Sequence, residues 1–249
     1  MRGGNSPLFI MSSITDNITV VIPSYNEDRY IYNTLWSLSR QKVGGKLRVI
    51  IADANSTDDT LERISKADED FDNLQIEVIK GGPVGYARNQ GAKLVNTPYI
   101  LFMDADSVLI ENDILWRVNN ERENFTIIGC KQKTTTQNPL SKLTWSVFEF
   151  IRKIMPESFC TGCFFFISKE NFNNLGGFDE SLNNSEDFWL SRKVKKRSFK
   201  ILDRYIGQDD RRFEKMGYFK FLKILLLNYW NKNNIEWFKK DVGYWEPYE

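Results

Sequence analysis

Two carboxylates one residue apart, Asp104-Ala105-Asp106, close an apolar run, Tyr99-Ile100-Leu101-Phe102-Met103, and Ser107 follows them. The run reads as a buried strand. Acidic groups placed where such a strand emerges can face one hard cation, and oxygen donors suit Mg²⁺ or Mn²⁺ rather than Zn²⁺. The plainer alternative is a strand end followed by an Asp-rich turn. The surrounding groups have to decide between the two.

Histidine is absent, so acid–base chemistry falls mainly to Asp and Glu. Cys130, Cys160 and Cys163 make an odd number without a disulfide framework, which favours a reducing interior. Cys160-Thr161-Gly162-Cys163 has redox-like spacing but lacks a strand-to-helix setting and a second pair for Zn²⁺, so buried thiols are expected. The chain has 249 residues, 41% of them hydrophobic and 27% charged, enough for one domain with an extension. A net charge of +1 gives no reason to expect a nucleic-acid partner. The apolar run Leu8 to Met11 is too short for a signal peptide or a membrane span. Residues 1–16 are read as a tail, and the location as cytoplasmic, with the inner face of the membrane as a second possibility.

The elements that must carry these groups alternate. A buried strand from Ile18 to Pro23 leads through Ser24-Tyr25-Asn26-Glu27-Asp28 to an amphipathic helix ending near Gln41. A second strand, Leu47 to Asp53, ends in Asp53-Ala54-Asn55-Ser56-Thr57-Asp58-Asp59, where Ser56 is placed to cap a helix reaching Ala67. A third, Leu74 to Lys80, runs into Gly81-Gly82-Pro83-Val84-Gly85 and a helix bearing Tyr86, Arg88 and Asn89. Repeated strand-then-helix units predict an α/β fold, a mostly parallel sheet covered on both faces. Ligands of such sheets bind at the carboxyl ends of the strands, so the polar clusters there should converge.

Pro23-Ser24-Tyr25-Asn26-Glu27, Asp53-Ala54-Asn55-Ser56-Thr57-Asp58, Gly85-Tyr86-Ala87-Arg88-Asn89-Gln90-Gly91-Ala92 and Asp104-Ala105-Asp106-Ser107 resemble, in that order, the inverting family 2 glycosyltransferases. The resemblance covers residues 17–210 and implies the Rossmann-like GT-A fold of nucleotide-diphospho-sugar transferases. It implies that Pro23, Tyr25 and Glu27 surround the base and ribose of a UDP, GDP or dTDP sugar, and that Asp53 accepts a hydrogen bond from the base. Arg88 would approach the nucleotide or its phosphates, Asp104 the ribose or a metal-bound water, and Asp106 the Mn²⁺ or Mg²⁺ itself. Without the family, Pro23 and Tyr25 read as strand termination and packing, and Arg88 as a helix-surface ion pair.

Beyond Asp106 the pattern predicts a helix near Glu111 to Asn119, a strand near Phe125 to Gln132 and a flexible polar connection over 133–139. Leu140 to Ile154 has helical periodicity with Trp145, Phe148 and Phe150, which pack in most proteins and form sugar platforms in some. Thr161-Gly162 precede another buried strand, and Ser185-Glu186-Asp187 opens a helix expected to reach Arg197. By itself that opening is an N-cap with acidic residues in the first turn. The resemblance implies more: this is the acceptor-side segment, with Asp187 the catalytic base, Glu186 its substitute, and Thr161 and Gly162 lining the donor or acceptor pocket.

Related enzymes often place a metal-binding His after this segment; here Gln208-Asp209-Asp210-Arg211-Arg212 stands instead. Asp209 or Asp210 to the metal, Arg211 and Arg212 to the diphosphate, and simple loop solvation are the open readings, as is a metal held by Asp106, diphosphate and water alone. Residues 211–249 form a C-terminal amphipathic extension. Tyr218 to Trp230 is too short and too charged to span a bilayer. It suits peripheral membrane contact, and equally a helix packed on the domain or in a dimer. Membrane contact would fit a lipid-linked acceptor; a glycan acceptor is the other possibility. The function expected is metal-dependent sugar transfer with inversion. A non-catalytic nucleotide-sugar-binding or scaffold protein on the same fold is the alternative. A sugar-1-phosphate nucleotidyltransferase is disfavoured, because Pro23-Ser24-Tyr25-Asn26-Glu27 stands where a basic glycine-rich loop would be needed.

Overall fold

The structure is a computed structural model that describes residues 14–240. Most of the expected N-terminal tail, residues 1–13, lies outside the described residues, as does the side chain of Arg212.

A short helix, α1 (Ile14–Asn17), leads into β1 (Ile18–Ser24), α2 (Ile31–Ser39), β2 (Leu47–Asp53), α3 (Thr60–Asp70), β3 (Leu74–Lys80), α4 (Val84–Leu94) and β4 (Tyr99–Phe102). The second half holds β5 (Ser107–Leu109), α5 (Ile114–Glu121), β6 (Ile127–Thr134), α6 (Pro139–Ile154), β7 (Phe165–Ser168), α7 (Lys169–Asn174), α8 (Glu186–Ser191), β8 (Phe199–Gln208), α9 (Arg211–Met216), α10 (Tyr218–Trp230) and α11 (Ile235–Phe238). All eight strands join one sheet in the order β3-β2-β1-β4-β7-β6-β8-β5. The four strands β1 to β4 pair parallel, as the alternating pattern requires. β7 pairs antiparallel with β4 and β6, β6 runs parallel to β8, and β5 antiparallel to β8.

The central strands are apolar on both faces because both faces are covered. Val20, Ile22, Val49, Ile51 and Leu101 enter one core cluster, with Leu35 of α2 and Ile64 of α3. Val21, Ile50, Ile100 and Phe102, the alternate residues, enter the other with Ala92 of α4. On this second side Gly91 is required: a Cβ there would collide with the Val21 side chain, so α4 lies close on β1. That approach aims Arg88, one helical turn earlier, at the end of β4.

Four expectations differ. Helix α3 begins at Thr60 rather than at Ser56, because Ser56 turns back onto Asp53 while Asp58 accepts from the Thr60 backbone and hydroxyl. Residues 133–139 are ordered: β6 runs to Thr134, Thr134 and Thr136 both donate to the Asp210 carboxylate, and Asn138 caps α6. Helix α8 stops at Ser191, well short of Arg197, and Ser185 does not cap it, its backbone being left-handed at φ 60°. Strand β8 has no counterpart in the sequence pattern; only half of its residues are buried, and its pairing with β6 slips between Cys130 and Lys131, which breaks the alternation. The three cysteines are buried free thiols, as expected.

Candidate active site

The loop after β1 and the loop after β2 are sewn together. Ala54 N–H donates to the Ser24 carbonyl, Asn26 N–H to Ser56 Oγ at 2.9 Å and Glu27 N–H to Thr60 Oγ1 at 2.7 Å. Asn26 Oδ1 in turn accepts from Thr57 N–H at 2.8 Å. Asp53, nearly buried, accepts from Ser56 N–H at 2.9 Å and Ser56 Oγ–H at 2.6 Å, so its carboxylate holds its own loop. Asn26 and Asn55 carry the left-handed backbone this folding needs, a conformation asparagine tolerates. The result is a firm rim on which Pro23 is half-buried and the Tyr25 ring is exposed.

Arg88 lies inside the molecule, 1% exposed, between two acids. Its Nη2 meets Asp104 Oδ1 at 2.5 Å, and its Nη1 pairs with the buried Glu186. Two carboxylates explain how a guanidinium can be so fully desolvated. Asn89 anchors the same helix by accepting from Phe178 N–H and donating to the Phe178 carbonyl. Gly162 covers the guanidinium so closely that any Cβ there would collide with it.

Gly162 also donates its N–H to Asp187 Oδ2 at 2.6 Å, while Asp187 Oδ1 accepts from Phe188 N–H at 2.6 Å. Burial, with the neighbouring Glu186 charge, pushes the Asp187 carboxyl up to about 7 against the pull of Arg88. Thr161 Oγ1 accepts from Gln132 Nε2 at 2.7 Å.

Arg211, at the start of α9, makes the second arginine centre. Both terminal nitrogens reach Glu27, at 2.7 Å each, and Nη2 also meets Asp106 Oδ2 at 2.7 Å. The guanidinium lies over the Tyr30 ring, 4.5 Å from its centroid. Burial and the Asp106 charge raise the Glu27 carboxyl to about 7, with Arg211 opposing. Asp209 accepts from Tyr30 Oη–H and from Arg211 N–H, which fixes the turn into α9.

Arg88, Asp104, Asp106, Thr161, Gly162, Glu186, Asp187 and Arg211 all line one cavity of ≈ 460 Å³. Pro23, Tyr25, Glu27 and Asp53 are not on its wall; Arg211 links their corner to it through Glu27. Sequence reasoning passes over Gln132 and treats Trp145 and Phe148 mainly as packing, yet all three face the cavity. The amphipathic stripe of α6 is the one signal that could have found the aromatic pair. Asp210 is consumed by Thr134 and Thr136 and is buried, so it faces no ligand.

Among the described residues no group of three or more His, Cys, Asp or Glu could hold a metal ion. Asp104 is engaged by Arg88 and Asp106 by Arg211. The oxygen chemistry of Asp106 fits a hard cation, but only one that arrives with a diphosphate supplying further oxygens.

The glycosyl transferase family 2 model matches residues 19–176, and the chain belongs to that family. Among its relatives is the uncharacterized glycosyltransferase YfnE of Bacillus subtilis (strain 168), 27% identical over 113 residues, which are 45% of this chain and 29% of that protein. Two solved structures share the fold. S. aureus TarS 1-349 in complex with UDP has a TM-score of 0.59 at 19% identity, over 78% of this chain and 60% of that one. The mannosyltransferase PcManGT from Pyrobaculum calidifontis, in complex with GDP-Man and Mn²⁺, has a TM-score of 0.63 at 18% identity, over 77% and 56%. The chain spans less than a third of the length of the curated relative.

Proposed function

We propose that this chain transfers a sugar from a nucleotide-diphospho-sugar to an acceptor hydroxyl in one displacement, with inversion. The observation that carries the reading is that Asp106 and Asp187 line the same cavity, with a buried guanidinium between their neighbours. The donor's base and ribose would rest on the rim of Pro23, Tyr25 and Asp53, near Glu27. The UDP and GDP-Man ligands of the fold neighbours are the donor classes to try first, with dTDP sugars beside them.

In the displacement the acceptor oxygen bonds to the anomeric carbon as the bond from that carbon to the diphosphate oxygen breaks. The acceptor proton passes to Asp187, and the nucleoside diphosphate leaves with the bonding electrons. Asp187 is suited to this role, since its carboxyl is raised to about 7 and is aimed by two backbone N–H groups. Glu186 is clamped on Arg88 and instead positions that guanidinium. Thr161 and Gly162 bound the reacting centre. Mg²⁺ or Mn²⁺, bound beside Asp106 with the diphosphate, would neutralise charge on the leaving group. Arg88 and Arg211 bring positive charge to the same wall from the chain itself.

The test is a screen of UDP, GDP and dTDP sugars for metal-dependent hydrolysis and transfer, with Asp187→Asn beside the parent. Turnover should fall by about 10²–10⁴ while nucleotide-induced thermal stabilisation survives. Stabilisation by nucleotides with no turnover of any donor would favour a non-catalytic binding protein.

A further inference from the structure

The cavity has two unlike walls. Its inner wall carries the charged groups already described. Its outer wall is built from α6, α9 and α10, and includes Trp145, Phe148, Ile154, Phe221, Leu225 and Leu226. Edge-to-face ring contacts make much of this wall continuous. They run from Phe188, beside Asp187, to Phe159, Phe148, Trp145, Phe213 and Phe221, with centroids 4.7–5.8 Å apart. Such a surface offers few partners to sugar hydroxyls, which would lose water without replacing it. Trp145 Nε1 is buried there with no partner among the described residues.

The helices that form the wall also turn apolar side chains outward. Leu143 and Phe150 of α6 are 60% and 62% exposed, and Phe219 and Trp230 of α10 are 91% and 76% exposed. Isolated apolar residues on a surface are ordinary, but this set spans two adjacent elements at the edge of a cavity. Lys142, Lys153, Lys220 and Lys223 are exposed on the same helices. The one acid on either, Glu149, is paired with Arg152. Apolar side chains bordered by lysines suit an anionic lipid surface.

Resting on the sugar-transfer reading above, we propose that the acceptor is a lipid: its hydroxyl-bearing head reaches Asp187, its hydrocarbon chain lies along the aromatic wall, and α6 and α10 rest on the bilayer from which it is drawn. The volume of ≈ 460 Å³ lies within the roughly 300–1,000 Å³ usual for small-molecule sites. An occupant polar at one end and apolar over the rest matches both walls.

Two measurements on the full chain test this without a known donor. Sedimentation with phosphatidylcholine/phosphatidylglycerol vesicles should pellet the protein, and Phe219→Asp should lower the bound fraction by about tenfold, since an inserted aromatic group is replaced by a charge. A dansyl-labelled undecanoic acid should bind saturably with a blue shift, be displaced by monoolein, and lose at least tenfold in affinity in Leu226→Arg. Nucleotide-induced thermal stabilisation, read in parallel, reports the donor site. Nucleotide binding without vesicle or probe binding overturns the lipid acceptor and leaves sugar transfer standing. Probe binding without any nucleotide effect would instead remove the transferase reading and retain the lipid site. Tighter probe binding in Trp245→Asp would show that the chain's own C-terminus fills the groove, and a dimer lost in Phe219→Asp would show that a second copy covers it; either result overturns the proposal.

Discussion

Arg211 holds Glu27 with both terminal nitrogens and lays one of them on Asp106, each contact at 2.7 Å. A single guanidinium thus joins the loop after β1 to the acidic pair after β4. Arg211 occupies one of the two carboxylate oxygens of Asp106. A cation beside Asp106 would compete with the guanidinium for the charge of that carboxylate, and a diphosphate would relieve the competition by taking Arg211 for itself.

On the proposed function, that competition would make cation binding depend on the nucleotide. Mn²⁺ alone should show no saturable binding in calorimetry below about millimolar concentration, while Mn²⁺ added with UDP or GDP should bind with at least tenfold higher affinity, because phosphate oxygens complete the shell. Tight Mn²⁺ binding to the protein without nucleotide would contradict this arrangement.

Arg211→Ala removes the one cation facing both Glu27 and Asp106 in the described contacts. Two partly buried carboxylates are then left without compensation, and the variant should lose about 2–4 kcal/mol of stability in urea melts. Arg211→Lys should recover only part of that, since an ammonium cannot reproduce the two-pronged grip on Glu27. Full rescue by Lys would mean that the charge alone matters.

Gly162 is a sharper probe of the inner wall. Its lack of a Cβ lets Arg88 lie flat against the backbone, and its N–H aims Asp187. Gly162→Ala should cost about 1–3 kcal/mol and depress kcat more than donor KM, because it moves Arg88 and the base together. An unchanged kcat would separate Asp187 from the chemistry.

How much of this can be read from the chain differs by element. The strands β1 to β4 follow from apolar runs that are buried on both faces, and the bounds expected for β2 and β3 agree with the structure residue for residue. Motifs single out Arg88 in α4, Asp104 just after β4 and Asp187 in the first turn of α8, and the structure brings the three to one cavity. What stays hidden depends on contacts between residues far apart in sequence. Arg211 meets Glu27 across 184 residues, and its type is equally compatible with solvation of a loop. Ser56 looks like a helix cap because capping and looping back onto Asp53 require the same hydroxyl. The Thr134 to Thr136 segment looks mobile because its partner, Asp210, lies 76 residues further on.

The raised carboxyl of Asp187 also links stability to pH. It moves from 3.8 as an unperturbed group to about 7 in the folded chain. Between those values the folded state holds a proton that the unfolded state has released, so stability from this group is full below about pH 4. It falls by about 1.4 kcal/mol per pH unit as pH rises through that window, and is gone above about pH 7. Glu27 contributes in the same direction. Thermal melts of Asp187→Asn should therefore decline less steeply between pH 5 and 7 than those of the parent, without becoming flat.

Catalysis should run the opposite way. In its proposed role Asp187 works only as a carboxylate, so kcat at saturating donor should rise with pH to a plateau, with a midpoint near 7 set by burial and by Glu186 against Arg88. Glu27 titrates in the same range but lies in the corner proposed for the donor, so its proton should alter kcat/KM for the donor and leave kcat alone. Glu186→Gln separates the causes. It removes the like charge that raises Asp187 and also releases Arg88, whose full charge then acts on Asp104 and Asp187. Both changes lower the Asp187 carboxyl, so the kcat limb should shift to lower pH by about one unit or more. A limb that stays near 7 in this variant would assign the titration to a group other than Asp187.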